Sequence, residues 1–192
     1  MKKDFLKGDN NMKKKCPACG NLVETEDDYC KKCGTQLIET KDFECDDLEE
    51  KLSIDKDKII LLDLNYTLIS NSKESFGPYP SRIYKQEYET ELIDLIKDNY
   101  VILITARPYK YSYKTLAHLK EKTGFVPDET YWNFDDYYPQ DLKEYWMKEE
   151  IIPKHGDDMT KYLAIESNEK TRRMYRKLGV KARRKQCFIN VD

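Results

Sequence analysis

Residues Lys58 to Ser70 read KIILLDLNYTLIS. Ile59 to Leu62 form an unbroken apolar run that ends on Asp63. A short run without polar alternation suits a strand covered on both faces, as in the middle of a parallel sheet. The carboxylate of Asp63 would then stand at the sheet's edge, heading a loop that carries Asn65, Thr67 and Leu68.

Outward from this stretch, apolar strands alternate with amphipathic helices. KQEYETELIDLIKDN (Lys85 to Asn99) places Tyr88, Leu92, Leu95 and Ile96 at helical spacing, and YVILIT (Tyr100 to Thr105) reads as a second buried strand. YKTLAHLKEKTG (Tyr113 to Gly124) is helical, ETYWNF (Glu129 to Phe134) is a third strand, and PQDLKEYWMKEEII opens a helix on Pro139. KYLAIES (Lys161 to Ser167) is a fourth strand, followed by a helix that ends at Gly179. Such alternation predicts an α/β fold with a doubly wound parallel sheet over 58–192.

Sites in such sheets form at the carboxyl ends of the strands. The polar residues expected there are Asp63, then Thr105 and Arg107, then Glu166. Asp63 can attack phosphorus to give an aspartyl-phosphate. Thr105 can hydrogen-bond phosphoryl oxygens, and Arg107 can clamp a phosphate in bidentate fashion. Mg2+ takes oxygen ligands, which Asp63 and an acid near Glu166 could supply.

These segments resemble the haloacid dehalogenase (HAD) superfamily. Asp63-Leu64-Asn65-Tyr66-Thr67-Leu68 matches its first motif with the second aspartate replaced, and ILITAR matches its second with Thr105 in the phosphate-binding position. YLAIESNEKTRRMYRKLGV matches its fourth, Glu166-Ser167 standing for a pair of aspartates. The resemblance implies Asp63, Asn65, Thr105 and a lysine as the catalytic set, and Asp63, the main chain of Asn65 and Glu166 as Mg2+ ligands. Lys148 and Lys154 are both candidates for the lysine. Lys148 is favoured, because KEEI ahead of such a fourth motif looks like the phosphatase half of polynucleotide kinase–phosphatases, where the second motif also carries an Arg107-like arginine.

Asn65 is the main departure. An amide neither donates nor accepts the catalytic proton at neutral pH, and losing general acid–base help costs about 10² to 10⁴ in rate. Ser167 removes a second charge. The stretch between the first two motifs, Leu68 to Tyr100, leaves no room for a cap domain. An open cleft suits a bulky substrate, such as a nucleic-acid end or a protein.

Four of the six cysteines form two CxxCG units: Cys16 and Cys19, then Cys30 and Cys33. A lone CxxC could be a redox dithiol or a disulfide. Two such units point to one tetrahedral four-sulfur Zn2+ site, and the segment resembles a small zinc ribbon. Residues 1–15 read as a basic tail, 16–38 as the ribbon and 39–57 as an acidic linker. Cys45 and Cys187 receive no role.

Of the 192 residues 36% are charged, yet the net charge is −2, so bulk charge does not mark a polyanion binder. The charged residues between Lys170 and Lys185 are all basic, which is either an anion-facing surface or a solvated helix face. No apolar run suits a signal sequence or a membrane span. The expected location is cytoplasmic, with reduced thiols. Three readings stay open: a Mg2+-dependent phosphatase on a phosphate monoester such as a nucleic-acid end, slowed by Asn65; an impaired module that binds nucleic acid or a phosphorylated partner through the ribbon and basic face; and a small-molecule nucleotidase.

Overall fold

The computed structural model describes residues 13–15, 21–24, 32, 51–74 and 78–190. The chain divides into two compact units, Met1–Glu44 and Cys45–Asp192. In the first, strand β1 (Lys13–Lys15) pairs antiparallel with β2 (Leu22–Glu24). Cys16, Cys19, Cys30 and Cys33 lie outside the described residues, as does the acidic stretch 39–50.

The second unit is built on five parallel strands: β3 (Ile59–Leu62), β4 (Tyr100–Pro108), β5 (Glu129–Asn133), β6 (Tyr162–Ile165) and β7 (Lys181–Arg183). Their order is β5-β4-β3-β6-β7. The chain therefore starts in the middle, winds out to one edge, and restarts on the other side of β3. That Rossmann-like order opens a crevice beyond the carboxyl ends of β3 and β6, where the winding direction changes.

The apolar run of β3 is covered on both faces, as its sequence requires. Ile60 and Leu62 join a cluster with Leu92, Ile93 and Ile96 of helix α1 (Thr90–Ile96) and Leu119 of α2 (Ser112–Thr123). Leu61 points the other way, into a cluster with Met147, Ile151, Met174 and Tyr175. That second face is lined by α3 (Pro139–Trp146), which continues through a π-helical turn (Met147–Ile151) into α4 (Ile152–His155), and by α5 (Glu169–Lys177). No helix among the described residues is long and apolar enough to cross a membrane.

Local structure departs from or adds to the sequence reading at four places. The helix read over Lys85 to Asn99 shortens to α1, because Ile69 and Tyr88 form a β-bridge and the Ser70 N–H donates to the Glu87 carbonyl. These cross-chain bonds hold residues 86–89 extended. The fifth strand, β7, escapes periodicity because its three residues include only one apolar side chain, Ala182. Cys187, Phe188 and Ile189 are buried, and Lys185–Cys187 form a 3₁₀ turn closed by the bond from Cys187 N–H to the Arg184 carbonyl. Cys187 is disulfide-bonded rather than reduced.

The basic block is neither a uniform anion-facing surface nor a solvated face. Arg172, Arg173 and Lys185 are buried. Arg172 donates to the main-chain oxygens of Glu166 and Ser167, Arg173 pairs with Glu169, and Lys185 pairs with Glu89. Arg172 ties α5 to the end of β6, and Lys185 ties the last turn to the start of α1.

Candidate active site

Asp63 extends the parallel ladder by one rung, donating its N–H to the Ile165 carbonyl at 3.0 Å. Asp63 is 8% exposed, and its carboxylate faces the crevice between β3 and β6. The next residues turn sharply: Ile69 N–H bonds back to the Leu64 carbonyl, and Tyr66 takes φ 62°. A tyrosine in that left-handed region costs about 1–3 kcal/mol; the bond from its N–H to Ser72 Oγ, 2.8 Å, helps to hold it there. The turn brings Thr67 back under the carboxylate. Thr67 Oγ1 donates to Asp63 Oδ2 at 2.9 Å and accepts the Ser167 N–H at 3.0 Å.

Thr105 and Arg107 reach the same end of the sheet through an irregularity in β4. Ile104 pairs with Tyr131 and Pro108 with Asn133, so β4 spends two more residues than β5 over that interval. A bulge of this kind re-aims side chains at a strand's end. Thr105 is fully buried, and its Oγ1 accepts the Arg107 N–H at 3.1 Å.

A lysine from α3 closes the base of the crevice. Lys143 Nζ lies 2.7 Å from Asp63 Oδ1 and 2.6 Å from Glu166 Oε2. It is 1% exposed. An ammonium so buried requires paired carboxylates, and the grouping joins β3, β6 and α3 in one ionic bridge. Burial alone pulls the Lys143 ammonium's pKa down; the charges of Asp63 and Glu166 outweigh it and hold the value above the ordinary lysine range. Burial, and then the charge of Asp63, push the Glu166 pKa up too, to about 7.

The two expected lysines do not reach this bridge. Lys148 is exposed and pairs with Glu144 one turn back, and Lys154 pairs with Glu129 at 3.0 Å. Helix phase is the reason. Lys143, Met147 and Ile151 fall on one inward stripe at four-residue spacing, and all three are buried. That stripe was legible as an inward-facing lysine among apolar residues; the likeness of KEEI drew the reading to Lys148, five residues on.

Glu166 also departs from expectation. Its Oε1 accepts the Asn168 N–H at 2.8 Å while Oε2 holds Lys143. Both oxygens are thus engaged inside the protein. The neighbouring Ser167 faces the crevice instead. Its Oγ lies 3.2 Å from the Asn65 carbonyl oxygen and 3.5 Å from Asp63 Oδ2. No group of three or more His, Cys, Asp or Glu side chains suited to a metal occurs among the described residues.

Arg107 was expected as a bidentate phosphate clamp, but both its terminal nitrogens are held from within. Nη1 donates to Gln86 Oε1 (3.1 Å) and Thr115 Oγ1 (2.8 Å), and Nη2 donates to Asn65 Oδ1 (2.9 Å). The guanidinium lies 5.3 Å from the Tyr79 ring centroid, and Tyr79 stacks on Tyr111 at 4.6 Å. Burial lowers the Arg107 pKa. Nε is buried and without a partner. Gln86, Thr115 and Tyr79 carried no motif signal; they matter only because the fold gathers them around this arginine.

No protein-family model and no curated protein matches the chain. Among solved structures it is similar to a chain of the Pnkp1/Rnl/Hen1 RNA repair complex, with 18% identity over 71% of this chain and 46% of that one, at a TM-score of 0.49. A chain of a second Pnkp1/Rnl/Hen1 complex gives 16% identity over 71% and 50%, at a TM-score of 0.51. The chain spans about half the length of these structural neighbours. At such identity the second likeness is one of fold.

Proposed function

We propose that the second unit is a Mg2+-dependent phosphohydrolase of the haloacid dehalogenase type. It acts through an aspartyl-phosphate on a phosphate monoester at a nucleic-acid end, and Asn65 slows it. The observation that carries this reading is the buried bridge of Lys143 between Asp63 and Glu166, at the point where the sheet's winding direction changes. A nucleophile, a fixed cation and a second carboxylate meet where α/β sheets hold substrates.

In this reading an Asp63 oxygen bonds to phosphorus as the bond from phosphorus to the leaving oxygen breaks, and water later attacks the acyl-phosphate. Lys143 holds the Asp63 carboxylate in place and offsets charge beside the phosphoryl group. Thr105, whose Oγ1 already accepts one bond, offers its hydroxyl proton to a phosphoryl oxygen. Arg107, its terminal nitrogens held by Gln86, Thr115 and Asn65, positions the Asn65 side chain beside the site. Ser167 Oγ lies 3.5 Å from Asp63 Oδ2 and 3.2 Å from the Asn65 carbonyl oxygen, and these three oxygens would hold Mg2+. A set with one carboxylate fits this ion weakly. When bound, Mg2+ would neutralise charge on the transferring phosphoryl group.

Phosphate release from aryl phosphates and 3′-phosphorylated oligonucleotides, with and without Mg2+, tests the reading. Turnover should require Mg2+ and vanish in Asp63→Asn. Turnover no higher than that of the variant overturns it.

The bond between Arg107 and Asn65 favours a second reading, a phosphate-binding module without turnover, because it engages the side chain where an acid would work. Binding that survives Asp63→Ala, with no turnover, would select it. In the first unit, Cys16, Cys19, Cys30 and Cys33 would hold a structural Zn2+. The ribbon and the open cleft together suit a nucleic-acid or protein partner in the cytoplasm.

A further inference from the structure

Just past the β4 bulge a cleft of about 390 Å³ opens between the ends of β4 and β5, bounded by Pro108 and Asn133. Tyr109 and Phe134 line it with rings that are 66% and 52% exposed. Phe134 does not hang free. Its ring lies 5.3 Å from that of Trp146 and 5.8 Å from that of Tyr145. Its loop is pinned by the buried Asn133, whose Nδ2 donates to the Tyr137 carbonyl and whose Oδ1 accepts the Asp135 and Tyr137 N–H groups. One face of a rigid ring is therefore offered to the cleft, which lowers the entropy cost of stacking a ligand on it.

The charges decide what the cleft accepts. Asp135 and Asp136 line it against one base, Lys110, whose Nζ already lies 5.3 Å from the Tyr111 ring. Net negative lining repels phosphate. Carboxylates instead accept hydrogen bonds from the exocyclic amino groups of adenine, cytosine and guanine. Pro108 directly follows Arg107, so this cleft opens at the same end of β4 as Thr105 and Arg107.

We infer that this cleft is a nucleobase subsite, stacking the terminal base on Phe134 and Tyr109 and preferring bases that carry an amino group. The inference deepens the phosphatase reading by naming its leaving-group side, but base binding itself does not depend on catalysis.

The test separates the two. Adenosine, cytidine and uridine 3′-monophosphates, and base-free ribose phosphate, are titrated by NMR against the full chain carrying Asp63→Asn, so that hydrolysis plays no part. Cytidine monophosphate should bind more tightly than uridine monophosphate. Phe134→Leu, which keeps apolar bulk without the ring, and Tyr109→Ala should each weaken nucleotide binding about ten-fold and leave ribose phosphate unchanged. Asp135→Asn combined with Asp136→Asn should erase the preference for cytidine over uridine. Matching melting temperatures control for folding. Equal nucleotide affinity in the parent and the Phe134→Leu, Tyr109→Ala double variant overturns the inference, as does the absence of nucleotide binding to the parent. If the site fails only as an enzyme, the ring dependence persists while wild-type phosphate release stays at background.

Discussion

The guanidinium of Arg107 donates to the side-chain oxygen of Asn65 across 2.9 Å, joining the bulge of β4 to the loop after β3. This contact fixes the amide's orientation, since only its oxygen can accept from a guanidinium. It also sets the terms for restoring an acid. A carboxylate at position 65 would face the same donor and be held ionised.

Asn65→Asp should therefore raise phosphate release, by up to about 10² to 10⁴, with the gain largest on the acid side of neutrality, where a carboxylate paired with Arg107 regains its proton. Steady-state rates across pH check this. No gain at any pH, in a variant that melts like the wild type, would remove Asn65 as the reason for slow turnover.

Lys143→Met should be severe in a different way. It leaves Asp63 and Glu166 buried without their cation, at a cost of about 3–5 kcal/mol. Denaturant melts would read the loss. Adding Glu166→Gln should recover much of the stability, because one buried charge is then removed, while phosphate release stays at background. A single Lys143→Met variant as stable as the wild type would contradict the bridge.

That lysine also marks how far the sequence could be read. The strand before Asp63, its neighbour before Thr105 and the strand before Glu166 were legible because a buried parallel strand needs an uninterrupted apolar run. Helix phase was legible in principle too, since Lys143, Met147 and Ile151 share a stripe, yet the motif drew attention to the exposed Lys148. The bulge was not legible. No residue type in Thr105-Ala106-Arg107 announces that β4 spends two extra residues against β5, and the bulge decides where Arg107 points. The same holds for Glu166 and Ser167: sequence favoured the charged member as the metal-facing one, while the turn gives the carboxylate to Lys143 and the hydroxyl to the crevice.

The cysteines of the first unit give a prediction about metal. The full chain should carry one Zn2+ per molecule by elemental analysis, and Cys19→Ser or Cys33→Ser should lose it. With so little apolar sequence to form a core, ion binding should be coupled to folding there. Chelation should then speed proteolysis within residues 1–44 and leave the melting of the second unit unchanged. Full zinc content in the Cys33→Ser variant would exclude the four-sulfur site.

At the opposite edge of the sheet, Glu129 begins β5 beneath four donors: the Tyr100 hydroxyl (2.6 Å), the Tyr131 hydroxyl (2.9 Å), Lys154 (3.0 Å) and His155 (2.7 Å). Burial pushes its pKa up, but the hydrogen bonds from Tyr100, Lys154, Tyr131 and His155 outweigh it and hold the value down, at about 2 against an ordinary 4.5. A carboxylate held ionised in the fold binds fewer protons than in the unfolded chain between those values. Its stabilisation is complete above about pH 4.5 and is lost as pH falls toward 2. Glu129→Gln should lower stability near neutral pH by about 1–3 kcal/mol, because an amide nitrogen replaces one of the acceptor oxygens that those donors share. It should also flatten the fall in stability across that acid window. Denaturant unfolding of both proteins at a series of pH values reads the two slopes, and identical slopes would mean that Glu129 carries none of the acid sensitivity.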